Sequence, residues 1–494
     1  MASLAPAVPI QLSHPDRLFI DGAWIAPAKG GRIEVMSAHS EQVIATVAEA
    51  TEADMDAAVV AARRAFDEGP WPRMEPGERA EWLRKLHAAL EVRVPELVRA
   101  WIDQIGALAT VAPFVIGGGM ATLQFTIDQA ATYPFVEKRI PADGRGEAMI
   151  VREPVGVAVT IAPWNNPFGI MISKVAGALL AGCTVIMKPA PETPIEAYII
   201  AEAAEAIGLP AGVLNLVASH RDAADHLVRN PGVDKVSLTG STVAGKRVAS
   251  VCGERLARCT LELGGKSAAI VLDDYDLGVA AKMLTATIIM SAGQVCATLS
   301  RVIVSQHRHD ALVEAIAAEM ANVRVGDPFD PETQLGPLAL ERQRDRVLDY
   351  VAAGSAEGAR LVFGGGRPLH LARGYYVEPT LFADVDRSMR IAREEIFGPV
   401  LSVLPVANEA DAINAANASD FGLYGAVFTN DRDAAYRVAR AMRTGTVTHN
   451  IFRFDPFLPF GGFKHSGIGR EGGIEGITSY TELKSILLDG PSRT

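Results

Sequence analysis

Cys296 is the residue whose surroundings best fit chemistry on a side chain. It lies in SAGQVCATLSR, where small and polar neighbours leave the sulfur accessible to a substrate, as a nucleophilic thiolate requires. Cys183, Cys252 and Cys259 lie in segments without a catalytic signature, and Cys183 in AGCTVIMKP is typical of a buried core cysteine. We therefore expect Cys296 to be the nucleophile of any covalent chemistry.

Two other side chains fit the partners that a thiol nucleophile needs. Glu262 lies in TLELGGKS at a predicted strand end, where a carboxyl beside an apolar site has a raised pKa that suits a general base. Asn165 lies in APWNNP after the apolar run VGVAVTI, and its amide could stabilise an oxyanion at the carboxyl end of a parallel strand. A solvated glutamate and a turn-forming asparagine are the alternative interpretations.

A glycine-rich turn and a lysine indicate a phosphate or ribose ligand. TGSTVAG, residues 239–245, joins a predicted strand to a helix, and such turns direct backbone amides at a phosphate. It is not GxGxxG, so alone it is weak evidence. Lys188 ends the run TVIMKP and could face a ribose, or it could be a surface lysine. The sequence contains no HExxH or CxxC motif, and we expect no metal.

The elements that must position these residues alternate between strands and helices. Apolar runs such as VGVAVTI, TVIMKP and KVSLTG alternate with helical stretches, which predicts parallel βαβ units. A second such region begins at LELGGKSAAIVLDD and ends near residue 450. We expect two helices in residues 51–100, broken at Gly69-Pro70, and a helix from about Ser173 to Ala181. In residues 113–133 the helix either begins after three glycines, or something packs closely against them.

The predicted fold class is α/β, with two doubly wound parallel-sheet domains and a small β element. We place a Rossmann-like cofactor domain at 1–135 and 154–261 and a catalytic domain at 262–464. A polar hairpin at 136–153 around Asp143-Gly144 and a C-terminal strand at 475–494 remain. We expect these two to pair with each other or with another subunit.

Composition excludes several classes of protein. The 494 residues carry a net charge of −11, so nucleic acid is not expected as a partner. We expect no signal peptide, because residues 1–19 lack a basic start and an apolar core. No apolar run is long enough to span a membrane, and the four cysteines lack disulfide or metal spacing. We expect a cytoplasmic protein with a small-molecule partner.

Together these stretches resemble the aldehyde dehydrogenase superfamily. Seven motifs occur in the family's order between residues 163 and 471: PWNNP, KPAPETP, LTGSTVAG, LELGGKS, GQVCA, EEIFGPV and PFGGFKHSGIGRE. The resemblance implies an NAD(P)-dependent enzyme that oxidises an aldehyde to a carboxylic acid through a thioester on Cys296. It also implies a homo-oligomer, dimer or tetramer, assembled through the hairpin and the C-terminal strand.

The resemblance also assigns roles by position. Cys296 is the nucleophile, Glu262 the base for deacylation, Asn165 the oxyanion donor together with the Cys296 amide, and Lys174 a proton relay. The remaining positions fall into two groups. Those implied to contact the cofactor are Ile161, Pro163, Trp164, Lys188, Pro191, Gly240, Ser241, Leu263, Glu395 and Phe397. Those implied to line the substrate pocket are Ile170, Ser173, Val295, Ala297, Phe454 and Phe460.

Several positions depart from the family pattern. Asn166 replaces a usual aromatic residue, and Pro191 replaces a glutamate common in NAD-preferring members, so NAD is favoured over NADP only moderately. Ser173 replaces a bulky aromatic residue, which indicates a roomier pocket for an aliphatic, aromatic or terpenoid-like aldehyde. Arg453 could bind a substrate carboxylate, although a solvated loop arginine is the more frequent case.

Two other functions fit the same motifs. A CoA-acylating semialdehyde dehydrogenase shares the fold but generally lacks the glutamate base, so Glu262 counts against it. A non-catalytic protein on this scaffold is disfavoured by the joint presence of Cys296, Glu262 and Asn165.

Overall fold

The computed structural model describes residues 10–490 and contains two large β-sheets with helices packed against them. The strands, in chain order, are β1 (Leu18–Ile20), β2 (Ala23–Ile25), β3 (Gly31–Met36), β4 (Val43–Glu49), β5 (Val136–Arg139), β6 (Glu147–Pro154), β7 (Val157–Ile161), β8 (Thr184–Lys188), β9 (Leu214–Leu216), β10 (Lys235–Thr239), β11 (Arg258–Glu262), β12 (Ser267–Val271), β13 (Leu299–Ser305), β14 (Arg360–Phe363), β15 (Thr380–Ala383), β16 (Val400–Val406), β17 (Phe421–Gly422), β18 (Tyr424–Phe428), β19 (Thr446–His449), β20 (Phe463–Lys464), β21 (Gly467–Ile468) and β22 (Thr481–Leu488).

The helices separate most of the parallel strands. They are α1 (Glu52–Asp67), α2 (Pro76–Glu91), α3 (Val94–Ile105), α4 (Ala112–Asp128), α5 (Pro167–Ala181), α6 (Ile195–Ala206), α7 (Arg221–Arg229), α8 (Thr242–Glu254), α9 (Leu277–Ile289), α10 (Gln306–Ala321), α11 (Glu341–Ala356), α12 (Arg390–Arg393), α13 (Glu409–Asn417), α14 (Arg432–Ala441) and α15 (Gly473–Thr478). Within residues 10–490, no helix combines the length and apolar character needed to cross a membrane.

The first sheet has the order β2-β1-β9-β8-β7-β10-β11-β21, with β9, β8, β7, β10 and β11 parallel. Its parallel strands are buried on both faces. Val157 and Val159 pack into one core, whereas Ala158 packs into the core on the opposite face. This two-sided burial explains why these strands are continuous apolar runs rather than alternating patterns.

The second sheet has the order β14-β15-β16-β13-β12-β18-β19 and is parallel except for β14. It is buried in the same way, with Ala268 and Ile270 in one core and Ala269 and Val271 in the other. The predicted pair of doubly wound sheets is confirmed.

The predicted hairpin and C-terminal strand pair with each other. β6 lies between β5 and β22, and all eight residues of β22 pair with it. The strand begins at Thr481 rather than at 475, because Ile477 and Tyr480, one helical turn apart, bury their side chains in the first core. The predicted boundaries at residues 1 and 494 lie outside the described residues.

Three helix predictions differ from the structure. Residues 51–100 contain parts of three helices rather than two, because Pro95 cannot continue a helix through the preceding turn and α2 ends at Glu91. The helix predicted from Ser173 begins at Pro167, where the Asn166 side chain accepts a hydrogen bond from the Gly169 amide at 3.2 Å.

The helix α4 also runs through its three glycines without a break. A Cβ on Gly119 would lie 2.8 Å from the Phe168 ring, so close packing explains this glycine. A Cβ at Gly117 or Gly118 would meet no atom within 4 Å. The alternative in which something packs closely is therefore correct for one glycine of the three.

Candidate active site

The carboxyl edge of the first sheet gathers most of the candidate residues. β8, β7, β10 and β11 are neighbours and end, in that order, at Lys188, Ile161, Thr239 and Glu262. Asn165 follows β7 by four residues. Because parallel strands end at one edge, side chains from four separate segments meet there.

Cys296 reaches this edge from a loop before β13 with an unusual backbone. Ser291, Ala292 and Gly293 have φ angles of 46°, 54° and 72°, all in the left-handed region. A Cβ on Gly293 would lie 2.2 Å from the carbonyl oxygen of Gly398. The loop is thus held tightly against the chain at residue 398, and this fixes the position of Cys296.

Two glycines after β11 allow the second sheet to approach the nucleophile. A Cβ on Gly265 would lie 2.3 Å from the carbonyl oxygen of Cys296, and one on Gly264 would lie 2.5 Å from the Glu395 carboxylate. The Gly265 amide donates a hydrogen bond to Glu395 Oε1 at 2.9 Å. The LELGGKS motif therefore supplies both the Glu262 carboxyl and the two glycines that allow the chain segments to approach closely.

The thiol of Cys296 and the carboxyl of Glu262 lie close enough for each to change the pKa of the other. Glu262 is 3% exposed, and burial raises its pKa well above the usual range, with a further increase from the charge of Glu471 and an opposing effect of Lys174. Burial and the charge of Glu262 also raise the pKa of Cys296. Because burial favours the protonated form of both groups, the thiol needs a proton acceptor to ionise, and the Glu262 carboxyl can serve as that acceptor in its ionised form.

The Asn165 side chain is fixed beside the nucleophile loop. Its Nδ2 donates to the carbonyl oxygen of Gln294 at 2.8 Å, and the backbone carbonyl of Asn165 accepts from Trp101 Nε1 at 3.1 Å. An amide nitrogen carries two hydrogens, so a second donor of Asn165 remains next to the loop that carries Cys296. This arrangement can stabilise an oxyanion formed on a carbon that is bonded to the sulfur.

Lys174 forms a buried network behind Glu262. Its ammonium donates to Ser237 Oγ at 3.0 Å and forms an ion pair with the carboxylate of Glu471. Ser237 Oγ also donates to Glu471 at 3.2 Å. Since Glu471 and Lys174 both change the pKa of Glu262, the three groups form a continuous set of titratable side chains.

The turn after β10 has the features of a phosphate cradle. Ser241 caps α8 by accepting a hydrogen bond from the Ala244 amide at 3.3 Å. A Cβ on Gly245 would lie 2.4 Å from the Leu263 side chain, so this glycine brings the helix close to the strand. The buried hydroxyl of Thr239 has no hydrogen-bond partner within the described chain. An orphaned hydroxyl and the remaining backbone amides in the first turn of α8 fit the phosphates of a dinucleotide.

Other groups implied to contact a cofactor surround this turn. Lys188 is 6% exposed, and burial lowers the pKa of its ammonium to about 8. Trp164 and Phe397 contact edge to face, with centroids 5.3 Å apart, and Phe397 has a φ of 61°. Glu395 is half-buried, and burial raises the pKa of its carboxyl to about 7. These residues fit a nucleotide that carries ribose hydroxyls and an aromatic ring.

Comparisons with known proteins agree with this geometry. The model of the aldehyde dehydrogenase family matches residues 24–486. The chain belongs to this family. The predicted resemblance is therefore confirmed.

The relatives of this aldehyde dehydrogenase act on different aldehydes by their names. A geranial dehydrogenase of Castellaniella defragrans is 42% identical over 96% of this chain and 98% of its own. A 3-succinoylsemialdehyde-pyridine dehydrogenase of a Pseudomonas species is 39% identical over 95% of this chain and 98% of its own. A solved structure, aldehyde dehydrogenase C of Pseudomonas syringae with NAD⁺ and octanal, has a TM-score of 0.93 at 37% identity, covering 98% and 99% of the two chains.

The positions implied to line the substrate pocket of this aldehyde dehydrogenase differ in how exposed they are. Phe454 and Phe460 contact each other with centroids 5.6 Å apart, and Phe454 is 48% exposed, as expected at a pocket mouth. Ile170, Ser173 and Val295 are half-buried. Unlike these, Ala297 is completely buried in the core beneath the second sheet.

The structure shows the surroundings of three further positions, Glu192, Arg453 and Pro163. Glu192, next to half-buried Pro191, forms an ion pair with Arg342 at 2.5 Å. Arg453 is exposed, and its backbone, rather than its side chain, hydrogen-bonds to Tyr424. Half-buried Pro163 stands in the loop between β7 and Asn165. A solvated Arg453 is therefore the interpretation that the structure favours.

Sequence reasoning assigned no role to two glutamines and Glu471. Gln294 holds the nucleophile loop by accepting from the Ala339 amide at 2.9 Å, and Gln343 donates to the carbonyls of Ile396 and Phe397. Gln294 lies in GQVCA and Glu471 ends PFGGFKHSGIGRE, so their place in these motifs could have identified them. Gln343 lies on the amphipathic helix α11, where nothing in the sequence marks it.

Proposed function

We propose that this protein oxidises an apolar aldehyde to the carboxylic acid with NAD⁺ and water, through a covalent intermediate on Cys296. The observation that carries the proposal is the closeness of the Cys296 thiol and the Glu262 carboxyl, each of which changes the pKa of the other, with the Asn165 amide bound to the loop of Cys296 at the Gln294 carbonyl. A nucleophile, a base and an oxyanion donor are the groups that acyl transfer through a thioester requires.

The first step is attack by the sulfur on the aldehyde carbon. Glu262 accepts the thiol proton, because it is the adjacent base and both groups are shielded from bulk water. The oxygen of the resulting thiohemiacetal is held by the free Asn165 Nδ2 hydrogen and the Cys296 amide. In other enzymes, one such donor lowers the barrier by about 3–4 kcal/mol.

The cofactor is held by side chains from both sheets. The α8 N-terminus at Ser241 would hold the pyrophosphate, Lys188 and Glu395 would bind ribose hydroxyls, and Trp164 and Phe397 would border the nicotinamide. Ile161, Pro163, Pro191, Gly240 and Leu263 form the walls of the same cleft. Bound NAD⁺ supplies the hydride acceptor that turns the thiohemiacetal into a thioester.

Hydrolysis of the thioester needs the base again. Glu262 takes a proton from a water that attacks the acyl carbon, and its raised pKa suits this role at neutral pH. Before this step, the proton taken from the thiol leaves Glu262 toward the Lys174–Glu471 ion pair, whose charges act on the Glu262 carboxyl, and passes to solvent. The proton taken from the water then returns to the sulfur when the acid departs.

The substrate pocket favours an apolar tail. Its mouth is formed by Phe454, Phe460 and the exposed Phe457, which stacks on Phe125 of α4 with centroids 4.7 Å apart. Ser173, in place of a larger residue, leaves room for a branched or long chain. The geranial and octanal ligands in the names of relatives agree with an aliphatic or terpenoid-like substrate.

The assembly is a homo-oligomer formed through the β5-β6-β22 sheet. Leu483 and Leu487 of β22 are 68% and 72% exposed, and two edges of this sheet are open to another chain. Within the described residues, 10–135 and 154–261 form the cofactor-binding domain, and 262–464 form the catalytic domain.

A kinetic panel tests the proposal. NADH or NADPH formation is followed with short, long, aromatic and carboxylated aldehydes, with each cofactor and with or without CoA. We expect turnover with NAD⁺ in the absence of CoA, and the highest kcat/KM with long apolar aldehydes. Strict dependence on CoA would establish the acylating alternative, and a well-folded protein that oxidises no aldehyde would establish the non-catalytic one.

A further inference from the structure

A small cavity at the amino edge of the second sheet is lined by polar residues that have no part in the proposed mechanism. It lies at the amino ends of β12 and β18, beside the segment that leads into β19. About 10 Å³ of it is open to the centre of a water molecule, which is the space that one water or one ion of similar size takes. The polar residues that line it are Lys266, Ser267, Arg301, Asn417, Arg443 and Thr444.

Three of these side chains have a buried polar atom without a hydrogen-bond partner in the described part of the chain. The atoms are the ammonium nitrogen of Lys266 and the hydroxyl oxygens of Ser267 and Thr444. Lys266 and Ser267 are only 2% and 3% exposed. A buried polar group that finds no partner in the protein needs a water or another ligand. Three such groups around one cavity indicate that the cavity is occupied.

The charge around the cavity favours an anion over a water. Arg301 is 3% exposed, and its guanidinium donates to the carbonyls of Lys266, Ala415 and Ala416 at 2.9, 3.2 and 3.0 Å. Carbonyl oxygens satisfy its N–H groups but bring no negative charge. Burial lowers the pKa of Arg301 only to about 10, so the guanidinium is charged at neutral pH.

No acidic side chain compensates this charge at the cavity. Within residues 10–490, none of the residues that line it is an aspartate or a glutamate. Lys266 and the exposed Arg443 add to the positive charge rather than reduce it. Because buried charges in proteins are normally paired, a neutral water would leave the cations uncompensated, whereas an anion would compensate them.

We propose that this cavity binds one small inorganic monoanion of about the size of chloride, held by the Lys266 ammonium and the hydroxyls of Ser267 and Thr444. The space excludes a nucleotide or an organic acid. In the sheet β18 lies between β12 and β19, so the ion would connect β12 with the segment before β19 across the amino end of β18. The inference does not depend on the proposed function.

Binding of the anion should depend on the protonation of Lys266. Burial and the charge of Arg301 lower the pKa of its ammonium to about 7, against the opposing charges of Glu395 and Glu394. Arg443 is the other charged residue at the cavity. An anion favours the ammonium form, so binding above the pKa of about 7 requires the uptake of a proton. The affinity should therefore be constant in acid and fall as the pH rises above neutrality.

The direct test locates the ion in a crystal. Protein purified without halide is crystallised and soaked in sodium bromide, whose anomalous scattering identifies bound ions. We expect a bromide peak in the cavity, within hydrogen-bond distance of the Lys266 ammonium and the Ser267 hydroxyl. The peak should be absent from crystals of Lys266→Met.

The second test measures binding in solution. The Tm is followed as chloride replaces gluconate at constant ionic strength, since a ligand that binds only the folded protein raises the Tm in a saturable way. We expect the apparent Kd to be about tenfold weaker or more at about pH 8.5 than at about pH 6.5, because each pH unit above the pKa lowers the ionised fraction tenfold. Lys266→Met should not respond to chloride. Lys235→Met, which removes a buried ammonium bonded to Thr260, is the matched control and should respond like wild type.

A cavity that holds only water gives different results. If no bromide peak appears, or if chloride raises the Tm of Lys266→Met as much as that of wild type, the inference is wrong. A peak in the crystal without a saturable change in Tm would mean binding at crystal concentration only and would also overturn it. Should Lys266→Met not fold, Ser267→Ala and Thr444→Val must each weaken the response of the Tm to chloride.

Discussion

The carboxyl edges of the two parallel sheets use polar side chains in opposite ways. After the first sheet stand Thr239 and Glu262, which are buried and each keep an oxygen without a partner in the described chain. After the second sheet, Asp274 accepts from the Thr429 hydroxyl and the Asn430 amide, each at 2.8 Å. Asp431 there caps α14.

An open cleft does not distinguish these edges. The second sheet carries a cleft of about 320 Å³ between the loops after β12, β13, β16 and β18, where a doubly wound sheet commonly binds ligands. Its carboxylates are nevertheless consumed by hydroxyls and helix N-termini. Of these two edges, the reactive one is thus the edge that keeps unsatisfied buried groups, each of which costs about 1–3 kcal/mol.

Removing the nucleophile from the reactive edge should have the largest effect on activity. Cys296→Ala should lower NADH formation by about four orders of magnitude or more, because no other group can form the covalent intermediate. NAD⁺ affinity, measured by calorimetry, should stay within about threefold. Activity close to wild type in this variant would remove Cys296 from the mechanism. Cys259→Ala, at a half-buried cysteine outside the site, is the control.

Removing the base should slow the second half of the reaction most. Glu262→Gln should reduce steady-state turnover by about 10²–10⁴-fold, since the water loses its proton acceptor. The acyl-enzyme should then accumulate and be seen as a mass increase on Cys296 by intact-protein mass spectrometry. If turnover falls without a covalent adduct, Glu262 acts before the thioester forms.

The raised pKa of the Cys296 thiol predicts how the rate of its alkylation depends on pH. The rate with iodoacetamide should rise with pH and reach its midpoint above that of a free cysteine, because burial and Glu262 favour the protonated thiol. In Glu262→Gln the negative charge is absent, so the midpoint should move down. A midpoint that moves up would show that Glu262 activates the thiol in the free enzyme more than it repels the thiolate.

The smallest effect is expected at the edge whose polar groups are satisfied. Asp274→Ala should lower the free energy of unfolding by about 1–2 kcal/mol, seen as a lower Tm, because Thr429 and Asn430 lose their acceptor. Its kcat/KM should remain within about twofold of wild type. A large loss of activity at unchanged Tm would mean that the second edge takes part in function.

Much of the fold followed from local patterns. Apolar runs such as VAVTI specify strands buried on both faces, and Gly-Pro at 69–70 ends a helix by backbone geometry alone. The predictions failed where a single residue outweighed the surrounding composition, as Pro95 does between two helices. They also failed at α15, where tertiary burial of Ile477 and Tyr480 turned an expected strand into a helix.

The sequence by itself determined the chemistry available, since its motifs supply a thiol, a carboxyl, an amide and a phosphate turn in a recognisable order. Only the tertiary structure decided that the amino ends of β12 and β13 meet the carboxyl ends of β7 and β11. Gly265 and the left-handed turn at residues 291–293 permit that approach, and the burial that follows raises the pKa of Cys296 and Glu262. Burial depends on neighbours distant in the chain, so no local pattern encodes it.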